Sequence, residues 1–69
     1  MNRPKFKRHQ MVRVKYLEGL DFMLGTYKVG EVFRINLIHP DHNGEIMYRK
    51  AETVFGLYER QLEEADERS

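Results

Sequence analysis

The chain has 69 residues, no cysteine and a formal net charge of +1, and 41% of its residues are hydrophobic. This length accommodates one small domain that an apolar core must hold together, since the lack of cysteine excludes disulfides and thiolate metal sites. No segment approaches the ~20 apolar residues of a membrane span, and the basic N-terminus lacks the apolar stretch of a secretory signal, so we predict a cytoplasmic protein.

The charge is unevenly distributed along the chain. Residues 1–34 carry a net charge of +5, and residues 35–69 carry a net charge of −4. Such polarity orients a charged partner through the field of the protein. Alternatively, the two ends of the chain attract each other or are simply solvated.

The first elements are an arm, a strand and a loop. Residues 1–8 are polar and basic, and Pro4 disfavours a helix there, so we predict a flexible basic arm. The segment QMVRVKYL alternates, with Val12 and Val14 on one face and Arg13 on the other, which is typical of a half-buried strand. The following EGLDFMLGTYK contains two glycines and has no clean period, which indicates a long loop.

The segment VGEVFRINLI predicts a second strand with an unusual pattern. Phe33 and Ile35 have one parity, whereas Val32 and Ile38 have the other, so a regular strand would present apolar side chains on both faces. A strand that bends at a bulge and serves both halves of a small barrel explains this pattern. We place the bend at Gly30, where the chain leaves the loop at a conformation that disfavours a Cβ.

The second half of the chain predicts shorter elements. HPDHNG indicates a hairpin turn through Asn43 and Gly44, both of which tolerate positive φ. EIMYRK returns as a strand with Tyr48 inward, and TVFGLY is a short fourth strand. Residues 57–68 fit either a 3-10 turn followed by a short last strand or a C-terminal helix. Residues 65–69 form an acidic tail.

The predicted core consists of the apolar side chains that these strands direct inward. Its members are Val12, Val14, Tyr16, Val29, Val32, Phe33, Ile35, Leu37, Ile46, Tyr48, Val54, Leu57 and Leu62.

Five short strands, a long first loop, an Asn-Gly hairpin and a one-turn helix before the last strand resemble an SH3-like barrel over residues 9–64. The stretch MVRVKYLEGLDFMLGTYKVGEVFRI is similar to the KOW motif of bacterial transcription elongation factors and some large-subunit ribosomal proteins. The motif positions fall on Val12, Val14, Gly30, Val32 and Ile35. The ending GLYERQLEE is similar to that of small bacterial and phage SH3-like proteins. The resemblance implies an all-β fold, a small five-stranded barrel, and RNA binding.

The residue types for catalysis are missing. The chain has no Cys, its one Ser is the C-terminal Ser69, and no glycine-rich phosphate loop occurs, so we predict no enzymatic activity and no catalytic residue. His39, Asp41 and His42 fall in the hairpin turn without a fourth ligand, so we predict no metal site and no cofactor.

Our first functional hypothesis is a non-enzymatic accessory module that docks on a protein or nucleoprotein complex. The long loop is more apolar than a connector requires, and tyrosines beside it offer contact area at low entropic cost. The predicted protein-binding residues are Tyr16, Phe22, Met23, Leu24, Tyr27 and Tyr58. A phage or mobile-element regulator or inhibitor of a host complex would use such a surface. The open edge of the barrel also offers a homodimer contact.

The alternative hypothesis is direct binding of RNA or DNA through the basic arm and the outer face of the first strand. Phosphate contacts require only lysine and arginine on one face, and aromatic side chains such as Phe6, Tyr48 or Phe55 would stack bases. The predicted nucleic-acid-binding residues are Arg3, Lys5, Lys7, Arg8, Arg13, Lys15 and Arg49.

Overall fold

The computed structural model describes residues 3–19 and 25–65 of the chain. These residues form six short strands and one 3-10 turn and contain no α-helix, so the predicted all-β class is confirmed. The strands are β1 (Met11–Val14), β2 (Val32–Arg34), β3 (Leu37–Pro40), β4 (Ile46–Arg49), β5 (Leu57–Tyr58) and β6 (Leu62–Glu64). The 3-10 turn, Glu59–Gln61, lies between β5 and β6 as predicted.

The strands form two antiparallel sheets of three strands each, in the orders β2-β1-β6 and β3-β4-β5. In the first sheet Val12 of β1 lies opposite Phe33 of β2 and Glu64 of β6. In the second sheet Tyr48 of β4 lies opposite Ile38 and Leu57. The sheets are connected twice, by the chain between β2 and β3 and by the 3-10 turn between β5 and β6.

One buried apolar cluster draws its members from both sheets. They are Phe6, Val12, Val14, Tyr27, Phe33, Ile35, Tyr48, Leu57 and Leu62. Ile46 packs against the margin of this cluster. The prediction was wrong for five side chains that are exposed, namely Tyr16, Val29, Val32, Leu37 and Val54. Two aromatic residues outside the strands, Phe6 and Tyr27, are buried instead, because short strands with few inward positions leave space that large rings fill.

A β-bulge precedes β2 at the predicted glycine. The Gly30 amide donates to Val14 O at 2.8 Å, and the Val14 amide donates to Glu31 O at 2.9 Å. Two residues of one chain segment, Gly30 and Glu31, therefore lie opposite the single residue Val14, which defines a bulge. Gly30 has a φ of +88°, and the Glu31 amide closes a turn on Lys28 O at 3.0 Å. Glycine is favoured here because the first position of such a bulge lies at positive φ.

The two-faced apolar pattern results from a change of sheet between β2 and β3. Ile35 is buried and Ile38 packs against the core. Odd-numbered positions therefore point to the core before the crossing, and an even-numbered position does so after it. The Ile35 amide donates to Gln10 O at 3.0 Å, next to the first sheet, whereas the Asn36 amide donates to Arg49 O of the second at 2.7 Å. The predicted bend therefore lies at the crossing between the sheets rather than at the bulge, and it divides one expected strand into two.

The hairpin between β3 and β4 is confirmed, but its turn differs from the prediction. The Asp41 amide donates to Glu45 O at 2.8 Å, and the Gly44 amide donates to Asp41 O at 3.0 Å. Gly44 has a φ of +85°, whereas Asn43 is not among the described residues with positive φ. Such a longer loop needs only its last residue in the left-handed region.

The C-terminal helix is wrong for the described part of residues 57–68. Gln61, which is buried, favours the turn and the strand: its Oε1 accepts from the Tyr58 amide at 2.9 Å, and its Nε2 donates to Tyr16 O at 3.3 Å. The first bond closes the turn on itself, and the second attaches it to the chain following β1. Of the predicted acidic tail, residues 66–69 lie outside the described residues.

Candidate functional site

Residues 3–8, which we call the N-terminal segment, are anchored by an aromatic side chain. Phe6 is 1% exposed, and its ring meets that of Tyr48 edge to face with centroids 5.3 Å apart. The Phe6 amide donates to the Tyr48 hydroxyl at 3.2 Å. The expectation of Phe6 and Tyr48 as exposed rings that stack bases is therefore wrong, because both rings lie in the core, and of the predicted flexible arm residues 3–8 are held at Phe6.

A carboxylate of the 3-10 turn completes this anchor. Glu59 Oε2 accepts from the Tyr48 hydroxyl at 2.7 Å and from the Lys5 amide at 2.9 Å. Burial, together with the hydrogen bond to Glu59, raises the pKa of Tyr48 to about 12. The phenol therefore keeps its proton at neutral pH and donates to Glu59, which fixes the backbone at Lys5 and Phe6.

An open groove of about 490 Å³ lies beside this anchor. It is lined by Arg3, Lys5, Lys15, Glu45, Ile46, Glu59, Arg60 and Leu62. With four basic and two acidic side chains, the groove has a net positive lining. Its two apolar members, Ile46 and Leu62, come from β4 and β6, so the groove spans both sheets.

Three cations of the groove have no carboxylate partner among the described residues: Arg3, Lys5 and Lys15. The Lys5 ammonium lies 5.5 Å from the centroid of the Phe6 ring. The backbone directs Lys15 to the groove, because its amide donates to Gln61 O at 2.7 Å and so extends the pairing of β1 with β6. The N-terminal segment and the chain following β1 thus both place positive charge without a carboxylate partner in the groove.

The fourth cation, Arg60, is paired with two carboxylates. Its Nε and Nη2 each donate to one oxygen of Glu18 at 2.9 Å, and its Nη1 donates to Glu45. The hydrogen bond from Arg60 holds the pKa of the Glu18 carboxyl below its ordinary value, and Glu18 in turn raises the pKa of Arg60. The Arg60 carbon Cζ lies 4.4 Å from the centroid of the Tyr58 ring.

Tyr58 is itself held by the β3–β4 hairpin. Its hydroxyl donates to Asp41 Oδ2 at 2.7 Å, while Asp41 Oδ1 accepts from the amides of Asn43 and Glu45 at 2.8 and 2.9 Å. The Tyr58 hydrogen bond lowers the pKa of Asp41, and the same bond raises that of Tyr58. We call the connected side chains Glu18, Asp41, Glu45, Tyr58 and Arg60 the Arg60 cluster.

The predicted nucleic-acid-binding set divides into two groups. Arg3, Lys5 and Lys15 line the groove, whereas the other four do not. Arg13 pairs with Glu63 at 3.2 Å, and Lys7 is exposed. Arg8 Nε donates to Asn36 O at 3.0 Å. Arg49 donates to Thr53 O, so its guanidinium is held at the loop before β5, and its Nε is buried without a partner among the described residues.

The predicted protein-binding set is not brought together by the described residues. Tyr27 is 2% exposed and its ring packs 5.4 Å from Phe33, so assigning it to a binding surface is wrong. Tyr16 is 39% exposed, and Tyr58 belongs to the Arg60 cluster. Phe22, Met23 and Leu24 lie outside the described residues.

The sequence did not identify Arg60, Glu45 and Glu59 as site residues. Arg60 lies in the acidic half of the chain, in a segment whose pattern indicates only a turn. The available signal was its position in the one-turn helix before the last strand, since a short turn connecting two sheets presents its side chains to the junction between them. No three His, Asp or Glu side chains of the described residues are grouped to hold a metal ion.

No family model, no curated protein and no solved structure matches the chain. Within residues 3–19 and 25–65, no helix has the length and apolar character needed to cross a membrane.

Proposed function

We propose that the chain is a non-enzymatic nucleic-acid-binding module whose groove takes the phosphate backbone. The observation that carries this proposal is the convergence of Arg3, Lys5 and Lys15 on one groove without carboxylate partners among the described residues. Unpaired lysine and arginine bind phosphates by releasing condensed counterions.

We further propose that the two sheets are the halves of a partly open SH3-like barrel. Three features support this architecture: the direct passage from β2 to β3 between the sheets, the 3-10 turn before β6, and the single core that both sheets share. In such a barrel the groove lies over the junction where the 3-10 turn meets the end of β1.

The test measures binding of a fluorescein-labelled oligonucleotide to the full chain by fluorescence anisotropy. Three phosphate contacts predict a salt slope of about −2 for a single strand, which is about a 20-fold decrease of affinity from ~50 to ~200 mM salt. Lys15→Glu and Lys5→Glu are expected to weaken binding and to lower this slope by about 0.7 for each phosphate that is no longer neutralised.

Lys7→Glu is the matched control, because it makes the same charge change in the N-terminal segment outside the groove. Its effect on affinity reports the general field of the protein and is expected to be much smaller. Absence of binding at low salt, or an equal decrease of affinity in Lys7→Glu and Lys5→Glu, would contradict the proposal.

A second candidate is docking on a protein, which exposed apolar side chains near the long loop favour. Val29 and Val32 flank the bulge that lies against Val14, and Tyr16 follows β1. Phe22→Asp in the loop is expected to abolish capture of a specific partner protein. Val54→Asp, at an 89% exposed valine outside the loop, is the control. Identical sets of captured proteins for wild type and Phe22→Asp would remove this candidate.

A further inference from the structure

The Arg60 guanidinium lines the groove but is poorly suited to bind a phosphate. Donors on all three of its nitrogens are directed at the carboxylates of Glu18 and Glu45. These bonds lie in the plane of the guanidinium, and the two carboxylates compensate its charge. Three of the five N–H donors of Arg60 are thus committed and its charge is compensated, so a phosphate is only weakly attracted to it, and stacking on its flat faces is the remaining interaction.

The Tyr58 ring covers one side of the Arg60 guanidinium, and we infer that the opposite side is open to the groove, which Arg60 lines. The Tyr58 ring lies under Arg60 at 4.4 Å, and Tyr58 is not among the residues that line the groove. Tyr58 is fixed by its 2.7 Å hydrogen bond to Asp41. The plane of Arg60 is thus held from below by a ring and at its edge by two carboxylates. Such a preorganised plane loses little conformational entropy when a second flat group stacks on it.

We propose that this face of Arg60 stacks one unpaired base of a single-stranded nucleic acid; the inference rests on the function proposed above. Bases stack on guanidinium planes wherever they are free of a duplex. The phosphates on either side of this base lie along Arg3, Lys5 and Lys15, and the base contacts the partly buried side chain of Ile46. A duplex keeps its bases paired, so it gains the phosphate contacts and not the stacking.

The two carboxylates of the groove add a preference among bases. Glu45 and Glu59 each use Oε2 in the hydrogen bonds described, and Oε1 of neither accepts a hydrogen bond among the described residues. A carboxylate oxygen accepts from an exocyclic amino group, as in cytosine and adenine, and is repelled by a carbonyl. The groove is therefore expected to prefer adenine or cytosine to thymine or uracil.

The wild-type full chain tests the inference without any substitution. Labelled strands of about eight nucleotides, within the usual site size of a small module, are compared by anisotropy: adenine-bearing, thymine- or uracil-bearing, and abasic with the same phosphates. Each is made as DNA and, with bases, as RNA, and a hairpin duplex is included. We expect the adenine strand to bind about tenfold more tightly than the abasic strand, because that is the usual effect of stacking one base.

The outcomes separate the two proposals. Equal affinity for the abasic and adenine strands, or for duplex and single strand, overturns the stacking platform while the phosphate groove stands. Equal affinity for adenine and thymine overturns the role of the carboxylates. Absence of binding to every strand overturns the proposed function itself.

A pair of variants tests whether Arg60 is the residue on which the base stacks. Arg60→Lys keeps a positive charge and removes the plane, so the ratio of affinities for adenine and abasic strands is expected to fall to about one. Arg13→Lys is the control, since Arg13 pairs with Glu63 outside the groove and its replacement is expected to leave the ratio at about ten. Thermal unfolding followed by circular dichroism verifies that both variants are folded. A ratio unchanged in folded Arg60→Lys overturns the assignment to this residue.

Discussion

The N-terminal segment and the Arg60 cluster place cations on the same groove in opposite ways. The segment is anchored by burial of Phe6 and by the Phe6 and Lys5 amides, which donate to the Tyr48 hydroxyl and to Glu59, so the charges of Arg3 and Lys5 are not used in this anchoring. Arg60 is anchored by its own charge, through Glu18 and Glu45. The same residue class therefore yields free cations on one side of the groove and a neutralised, oriented plane on the other.

This difference shows that the number of basic residues does not measure the capacity to bind an anion. What matters is whether the interaction that positions the side chain also consumes its charge. It also implies different sensitivities. Hydrophobic burial hardly responds to pH and moderate salt, whereas exposed ion pairs weaken as salt rises and as carboxylates are protonated. The following substitutions and a change of pH test this difference between the two anchors.

The largest effect is expected from Phe6→Ala. Removing a buried phenylalanine costs about 3–5 kcal/mol, which is most of the stability of a domain of this size. Urea unfolding followed by circular dichroism should therefore show a much lower midpoint. Arg60→Gln, the corresponding change on the other side of the groove, removes exposed ion pairs and should cost about 1 kcal/mol.

Phe6→Leu keeps the variant folded and provides the binding readout. It retains an apolar anchor of similar size, so we expect stability to fall by about 1 kcal/mol and affinity for an oligonucleotide to stay nearly that of wild type. An unchanged urea midpoint for Phe6→Ala would show that the segment is not anchored as described.

An intermediate effect is expected from acid. The pKa values of Glu18 and Asp41 are lowered in the folded protein from 4.5 and 3.8. The unfolded chain therefore takes up protons first as the pH falls, and the stability due to these groups, present at higher pH, is lost progressively below about pH 4.5. Urea midpoints should be constant between about pH 7 and 5 and fall below that range.

Tyr58→Phe isolates the contribution of Asp41 to the acid dependence of stability. It keeps the ring under Arg60 and removes the hydroxyl that donates to Asp41. The pKa of Asp41 should return toward its ordinary value, so the stability of this variant should fall less steeply below about pH 4 than that of wild type. Identical pH profiles would exclude the Tyr58 hydroxyl as the cause of the lowered pKa.

The smallest effect is expected from Arg13→Gln, compared with Lys15→Gln. Arg13 lies within the pairing of β1 with β6 and Lys15 lies at its end, and each variant loses one positive charge, but Arg13 already pairs with Glu63 and lies outside the groove. Its change should alter stability by at most ~1 kcal/mol and oligonucleotide affinity only slightly, whereas Lys15→Gln should lower the salt slope by about 0.7. If Arg13→Gln lowered the affinity more than Lys15→Gln, the conclusion that the paired cation contributes less to binding than the free one would be wrong.

The candidate site was only partly predictable. Arg3, Lys5 and Lys15 were identified because basic residues near a first strand are visible in the sequence. Their convergence, and the pairing of Arg13 with Glu63, depend on contacts between residues far apart in the chain. The role of Arg60 was hidden for the same reason, since its partners Glu18 and Glu45 come from two other loops.

Sequence patterns were sufficient to predict three local features: the strand at Val12 and Val14, the bulge at Gly30 and the β3–β4 hairpin. Each depends on periodicity or on a residue's own backbone preference, which act over a few neighbours. Tertiary packing was needed to place Phe6 in the core and Val54 at the surface, and to favour the 3-10 turn over a C-terminal helix. Burial depends on the packing of the whole cluster, so the neighbouring sequence of an apolar residue outside a regular strand does not predict whether that residue is buried.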